Sequence, residues 1–252
     1  MLLQIRPLTT QKVSGPQMKE LPSLENAWLL LEDDLIHSFG NMSEMPNFQD
    51  IKTLDCSGKT VLPSWCDSHT HLVYAGNREQ EFVDRINGLS YQEIAASGGG
   101  IINSAKKLQA TTQTALFAQS EKRLQEVIQQ GTGAIEIKSG YGLTTQAEMK
   151  MLRVAKQLGE KYNITVKTTF LGAHAIPPEF KGNKDGYLDL VCGEMMEKIS
   201  SENLADYVDV FCEKGYFSVA DTNRVLQAGK KHGLIAKTHV NQFTAMGGVA
   251  VS

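Results

Sequence analysis

Apolar, β-branched runs of strand length recur along the chain at TGAIEIKSG (132–140), ITVKTTFLGAH (164–174), VDVFCEKGYF (208–217) and LIAKTHVNQF (234–243). Bounded by turn residues, such runs predict buried strands. The segments between them read as helices, in TALFAQSEKRLQEVIQQG (114–131), TTQAEMKMLRVAKQLGEK (144–161) and VADTNRVLQAGKKHG (219–233). The last two carry Thr or Asp near the start and finish close to Gly, as helix punctuation requires. Repeated strand–helix units predict a parallel sheet, either doubly wound or closed as a barrel. No strand is followed by a GxGxxG or GxxxxGK[ST] loop, which weakens the nucleotide-binding versions.

Residues 1–60 have a different texture of short extended pieces and turns. AWLLLEDDLI (27–36) predicts two short strands around an acidic turn, and Ser57-Gly58 predicts another turn. The expected organisation is a small β-domain over residues 1–60 followed by α/β architecture over 61–252.

Polar residues gather at the same end of each apolar run: His69 and His71, Lys138 to Tyr141, His174, Glu213, and His239 to Gln242. Parallel barrels build their sites at the C-terminal ends of the strands, whereas a doubly wound sheet gathers its ligand groups at one switch point. The distribution favours the barrel.

Composition narrows the partners. With 252 residues, 41% apolar and 21% charged, the chain is an ordinary globular sequence. A net charge of −3 argues against nucleic acid or an anionic membrane as partner. No apolar run is long enough to span a bilayer, and the start MLLQIRPLTT lacks a signal layout. Cys56, Cys66, Cys192 and Cys212 are scattered without a CxxC, which predicts reduced thiols and a cytoplasmic setting.

The densest chemical signal is CDSHTHL, with two of the chain's six histidines one residue apart. On a helix, positions i and i+2 diverge; on a strand they share a face. Two imidazoles at a strand end, with His239 and His174 at other strand ends, form a set suited to zinc or iron. His37 and His232 read as surface histidines, His232 at a helix C-terminus where positive charge is favourable.

VLPSWCDSHTHL resembles the first-strand signature of the amidohydrolase superfamily. HTHLVYAGNREQEF, SGGGI, EIKSGYGL, FLGAHAIPPEF, VDVFCEKGYFS and THVNQFTAMGG, in order, resemble the imidazolonepropionase family within it. The resemblance implies an α/β fold, a (β/α)8 TIM-type barrel incomplete here, with a small N-terminal β-sandwich-like domain. It implies hydrolysis of the cyclic amide of 4-imidazolone-5-propanoate to N-formimidoyl-L-glutamate in histidine degradation. His69, His71 and His239 would hold one zinc or iron ion. Arg78 would pair with the propanoate carboxylate, and Tyr141, His174 and Gln242 would contact the ring or product. A small-molecule substrate is the expected partner, with a homodimer common for such barrels.

Each residue also has a plainer reading. Arg78 could form a surface ion pair, Tyr141 could serve a turn between glycines, His174 could end its strand, and Gln242 alone draws no notice. Lys138 carries a rival: as a carbamate it could bridge two metals, as in dihydroorotase and hydantoinase relatives. Gly98 to Gly100 could form a mobile loop or a linker. The family pattern also includes an aspartate on a later strand, a metal ligand and proton acceptor, expected beyond Ser252. On that expectation the sequence is partial, no catalytic residue is assigned, and the chain alone would be an inactive, weakly metal-binding fragment.

Overall fold

The computed structural model describes residues 1–7, 14–19, 22–77, 79–90, 93 and 99–251. Two units divide the chain, Met1–Ser64 and Trp65–Ser252. In the first, β1 (Leu2–Pro7) pairs antiparallel with β2 (Ala27–Glu32), and β2 pairs antiparallel with β3 (Leu35–Asn41). Two short strands, β4 (Leu54–Asp55) and β5 (Thr60–Val61), lie parallel to β1. The acidic turn falls at Asp33-Asp34, with Asp33 in the left-handed region, and Ser57-Gly58 turns as expected. Ala27 and Leu29 are buried on one face of this single mixed sheet, while Trp28 meets Phe48 edge-on at 5.5 Å.

The second unit is built on β6 (Trp65–Thr70), β7 (Thr132–Lys138), β8 (Thr165–Ala173), β9 (Tyr207–Cys212), β10 (Ile235–Ala236) and β11 (His239–Val240). All its pairings are parallel, in the order β10-β9-β8-β7-β6, with β11 also on β9. Each strand thus lies beside its predecessor. A doubly wound sheet would reverse direction at a switch point; an unbroken sequence is the order of a (β/α) barrel.

Helices α1 (Glu79–Ile86), α2 (Gly100–Ala110) and α3 (Gln113–Gln129) precede β7, and α4 (Thr145–Tyr162) joins β7 to β8. Between β8 and β9, α5 (Lys184–Leu190) runs through a π turn at Val191–Met195 into α6 (Met196–Ser201). Helix α7 (Val219–Lys231) precedes β10. Thr112 and Thr144 cap α3 and α4, and Ser218 with Asp221 forms a capping box on α7, whose C-cap is His232.

Alternation along the strands sorts the chemistry. Ile135 and Ile137 of β7 pack with Leu116, Leu124, Met151 and Leu158 of α3 and α4. Val208 and Val210 of β9 pack with Phe170 and with Val225 and Leu226 of α7. The intervening Glu136, Lys138 and Asp209 take the opposite face, where they pair with one another.

Three expectations change. The run 234–243 is two short strands, because Lys237 between them donates its N–H to Val208 O at 2.9 Å while its side chain crosses to Glu136. The run 208–217 ends at Cys212, and Gly215 turns it with φ +87°. The SGGGI segment is not a loop throughout: Gly99 is the N-cap and Gly100 the first residue of α2, whereas Gly98 lies outside the described residues.

Candidate active site

Residues from five strand ends meet over the C-terminal edge of the sheet. His69 belongs to β6 and His71 follows it; their rings lie 5.7 Å apart between centroids, as the strand argument requires. His239 opens β11, in register with Phe211 of β9. Its Nε2 stands 2.9 Å from Nε2 of His69. Neighbouring strands are about 4.8 Å apart, so four steps across a flat sheet would separate β6 from β11 by about 19 Å. The direct contact therefore measures a strong curl.

One ligand nitrogen from each of His69, His71 and His239 lies within 4.8 Å of the other two. Burial, followed by the fields of His174, His239 and His69, holds His71 down to about 3. Burial and His239 also lower His69. These two rings are therefore neutral near pH 7, the form with a free lone pair for a metal. Nδ1 of His71 is buried without a hydrogen-bond partner, an uncommon expense in a folded protein. Neutral imidazoles in a tight group with an unpaired buried nitrogen fit a cation such as zinc.

Behind His239 lies a buried charge network. Its Nδ1 is 2.9 Å from Asp209 Oδ2. Asp209 also meets Lys138 Nζ at 2.9 Å, and Lys138 meets Glu136 at 2.6 Å. Thr169 and Lys237 complete the partners of Glu136. Burial alone would raise the Asp209 carboxyl, but His239 and Lys138 outweigh it and hold the group at about 2. A carbamate on Lys138 would insert negative charge between two carboxylates, whereas the ammonium is satisfied by both.

His174, directly after β8, places Nδ1 2.9 Å from Gly140 O. A carbonyl only accepts, so Nδ1 carries the proton and Nε2 is left as an acceptor. Burial is the main cause that lowers this ring to about 4. His174 stacks on His71 at 5.5 Å and 19°, and Tyr141 lies 5.3 Å and 5.4 Å from the two rings. His69, His71, His239, Tyr141, His174 and Gln242 line a cavity of about 360 Å³ together with Ile101, Phe211, Tyr216 and Phe243. That volume suits a small ligand.

Of the residues singled out in the sequence, six converge here and Arg78 lies outside the described residues. His37 is exposed, 3.6 Å from Glu32, and His232 is half-buried at its helix end. Asp209, Phe211 and Tyr216 were not singled out. The one available signal was Asp209 itself, a charge within the otherwise apolar YVDVF.

No family model matches the chain. Solved structures similar to it include a 5-methylcytosine deaminase from Klebsiella pneumoniae (TM-score 0.62, 14% identity, 95% of this chain and 51% of that one). E. coli guanine deaminase matches with TM-score 0.63 and 12% identity over 95% of this chain and 52% of that one. A triazine hydrolase from Arthobacter aurescens gives TM-score 0.65 and 13% identity over 96% and 52%. Curated sequence relatives are nearer. Imidazolonepropionase of Christiangramia forsetii is 62% identical over 250 residues, 99% of this chain and 61% of that protein. The Flavobacterium psychrophilum imidazolonepropionase is 59% identical over 98% of this chain and 60% of its own length, and that of Shewanella baltica 47% over 91% and 57%.

Sequential parallel strands with a histidine cluster at their ends give the chain the fold of these solved structures. Over nearly its whole length the chain is similar in sequence to curated imidazolonepropionases. The chain spans about 60% of the length of the curated relatives it matches.

Proposed function

We propose that this chain supplies the metal- and ring-binding part of a hydrolase that opens 4-imidazolone-5-propanoate to N-formimidoyl-L-glutamate, a step of histidine degradation in the cytoplasm. The observation that carries this reading is the meeting of His69, His71 and His239 beside Tyr141 and His174 in one small cavity. The names of the relatives supply the substrate. His69, His71 and His239 would hold one zinc or iron ion. Such an ion, when bound, lowers the pKa of water toward ~7 and polarises a carbonyl.

The residues of the chain orient the ring. Tyr141 and Gln242 offer polar groups to a heterocycle between aromatic walls, and Nε2 of His174 can accept a proton from a ring N–H or from water. Arg78 is assigned to the propanoate carboxylate, which its planar fork suits. Water adds at the ring carbonyl carbon, the amide C–N bond breaks, and the departing nitrogen takes a proton. A homodimer is the proposed assembly.

Metal analysis and ligand binding test this together. The purified chain should load one zinc or iron per molecule and bind N-formimidoyl-L-glutamate, with His239→Ala losing the ion. Two ions per chain would favour the carbamate alternative, and no ion would leave the inactive-fragment reading.

A further inference from the structure

The loop from Ser139 to Thr144 carries Tyr141 and the carbonyl that orients His174, and its backbone converges on one side chain behind it. Glu148, in the first turn of α4, is fully buried. Its Oε1 accepts the N–H groups of Gly142 at 2.7 Å and Leu143 at 2.8 Å, and its Oε2 that of Gly140 at 2.8 Å. The Ser139 hydroxyl also bonds the carboxylate, while its oxygen accepts the N–H of Leu171 on β8 at 3.1 Å. Burial raises the carboxyl pKa and these bonds oppose that rise. A set made of donors is complementary to the ionised form.

Glycine permits the approach. A Cβ on Gly142 would collide with Glu148 N, and one on Gly140, at φ +105°, would lie 2.8 Å from His174 Nδ1. The loop is thus moulded between a carboxylate on one side and an imidazole on the other.

We infer that Glu148, which does not line the cavity, is a positioning residue of the site. By holding the backbone of Ser139 to Leu143 it fixes the Gly140 carbonyl, and through that carbonyl the tautomer and ring plane of His174, together with the place of Tyr141. The functional meaning rests on the substrate-side reading of His174 and Tyr141; the structural link does not.

NMR of the full chain with ¹⁵N-labelled histidine tests the link. Glu148→Gln keeps size but turns one acceptor oxygen into a donor facing backbone N–H groups. The expected result is a change of His174 from one Nδ1–H tautomer to a mixture, with amide exchange at Gly140 faster by about tenfold or more. Leu158→Ala, a core deletion further along α4, should lower stability and leave His174 unchanged. An unchanged His174 in folded Glu148→Gln, or the same change in Leu158→Ala, overturns the inference. So does exchange of Gly140, Gly142 and Leu143 at free-loop rates in the unaltered chain, a measurement independent of whether any variant folds. Failure of N-formimidoyl-L-glutamate to bind, with the loop bonds intact, defeats the substrate reading alone.

Discussion

Lys138 sits between two carboxylates with 2% of its surface exposed, so its contribution is decided by what its removal leaves behind. Lys138→Met would leave Glu136 and Asp209 buried with one partner fewer each. Breaking such a pair costs about 3–5 kcal/mol, with Lys237 and His239 moderating the loss toward the lower figure. Urea unfolding should show a lower midpoint with an unchanged slope. Asp209→Asn addresses the other end of the network. It weakens the grip on His239 Nδ1 without touching the three candidate ligands, and loss of such a supporting partner typically costs 10–100-fold, roughly, in metal affinity. Competition titration with a chelating dye would measure it; unchanged affinity would remove Asp209 from the metal's support.

At the scale of elements, the strands and the long helices were readable because hydrophobic period and caps agreed. TGAIEIK is an apolar run of strand length in which Ile135 and Ile137 alternate with Glu136 and Lys138, and Thr144 and the Ser218–Asp221 box punctuate their helices. The segment 184–201 was less legible, since Gly186 and Gly193 interrupt a helix stabilised by burial of Tyr187, Leu188, Val191, Met195 and Ile199. Glu148 was hidden for a related reason. Thr145-x-x-Glu148 has the spacing of a capping box, but the cap is Thr144 and the glutamate turns to the preceding loop. Contacts with backbone N–H groups leave no trace in residue type.

Another loop is held in the same manner. Glu213 accepts the N–H groups of Phe243 at 2.8 Å and Thr244 at 3.1 Å, beside Gln242. The Phe243 N–H is the largest cause that lowers its carboxyl to about 2, from 4.5. A depressed carboxyl stabilises above its unfolded pKa and loses that effect as pH falls through the folded value. Amide exchange at Phe243 and Thr244 should therefore remain slow down to pH 4.5 and accelerate as about 2 is approached. Acceleration already near 5 would contradict the assignment.

For the whole molecule, the imidazoles set a different pH window. His71 and His174 are held at about 3 and about 4, against 6.5 in an unfolded chain. Below 6.5 the unfolded chain binds protons that the folded one refuses, so stability must fall as pH drops toward 4. Chelator-treated protein should melt at progressively lower temperature across that range, and His174→Gln should flatten the slope. The parallel sheet followed from the repeated strand–helix units, and its barrel order and the histidine cluster from the polar residues at the strand ends. The buried ion network did not, because which charges face inward depends on register.

The contact between His69 and His239 joins the first and last strands of the parallel sheet. An ion gripped by both would act as a clasp across the curl, and by mass action its binding energy would become folding energy. Such a protein would sense its ion supply through its own persistence: starved of metal, the outer strands would fray first, and the chain would be exposed to proteolysis before any turnover was counted.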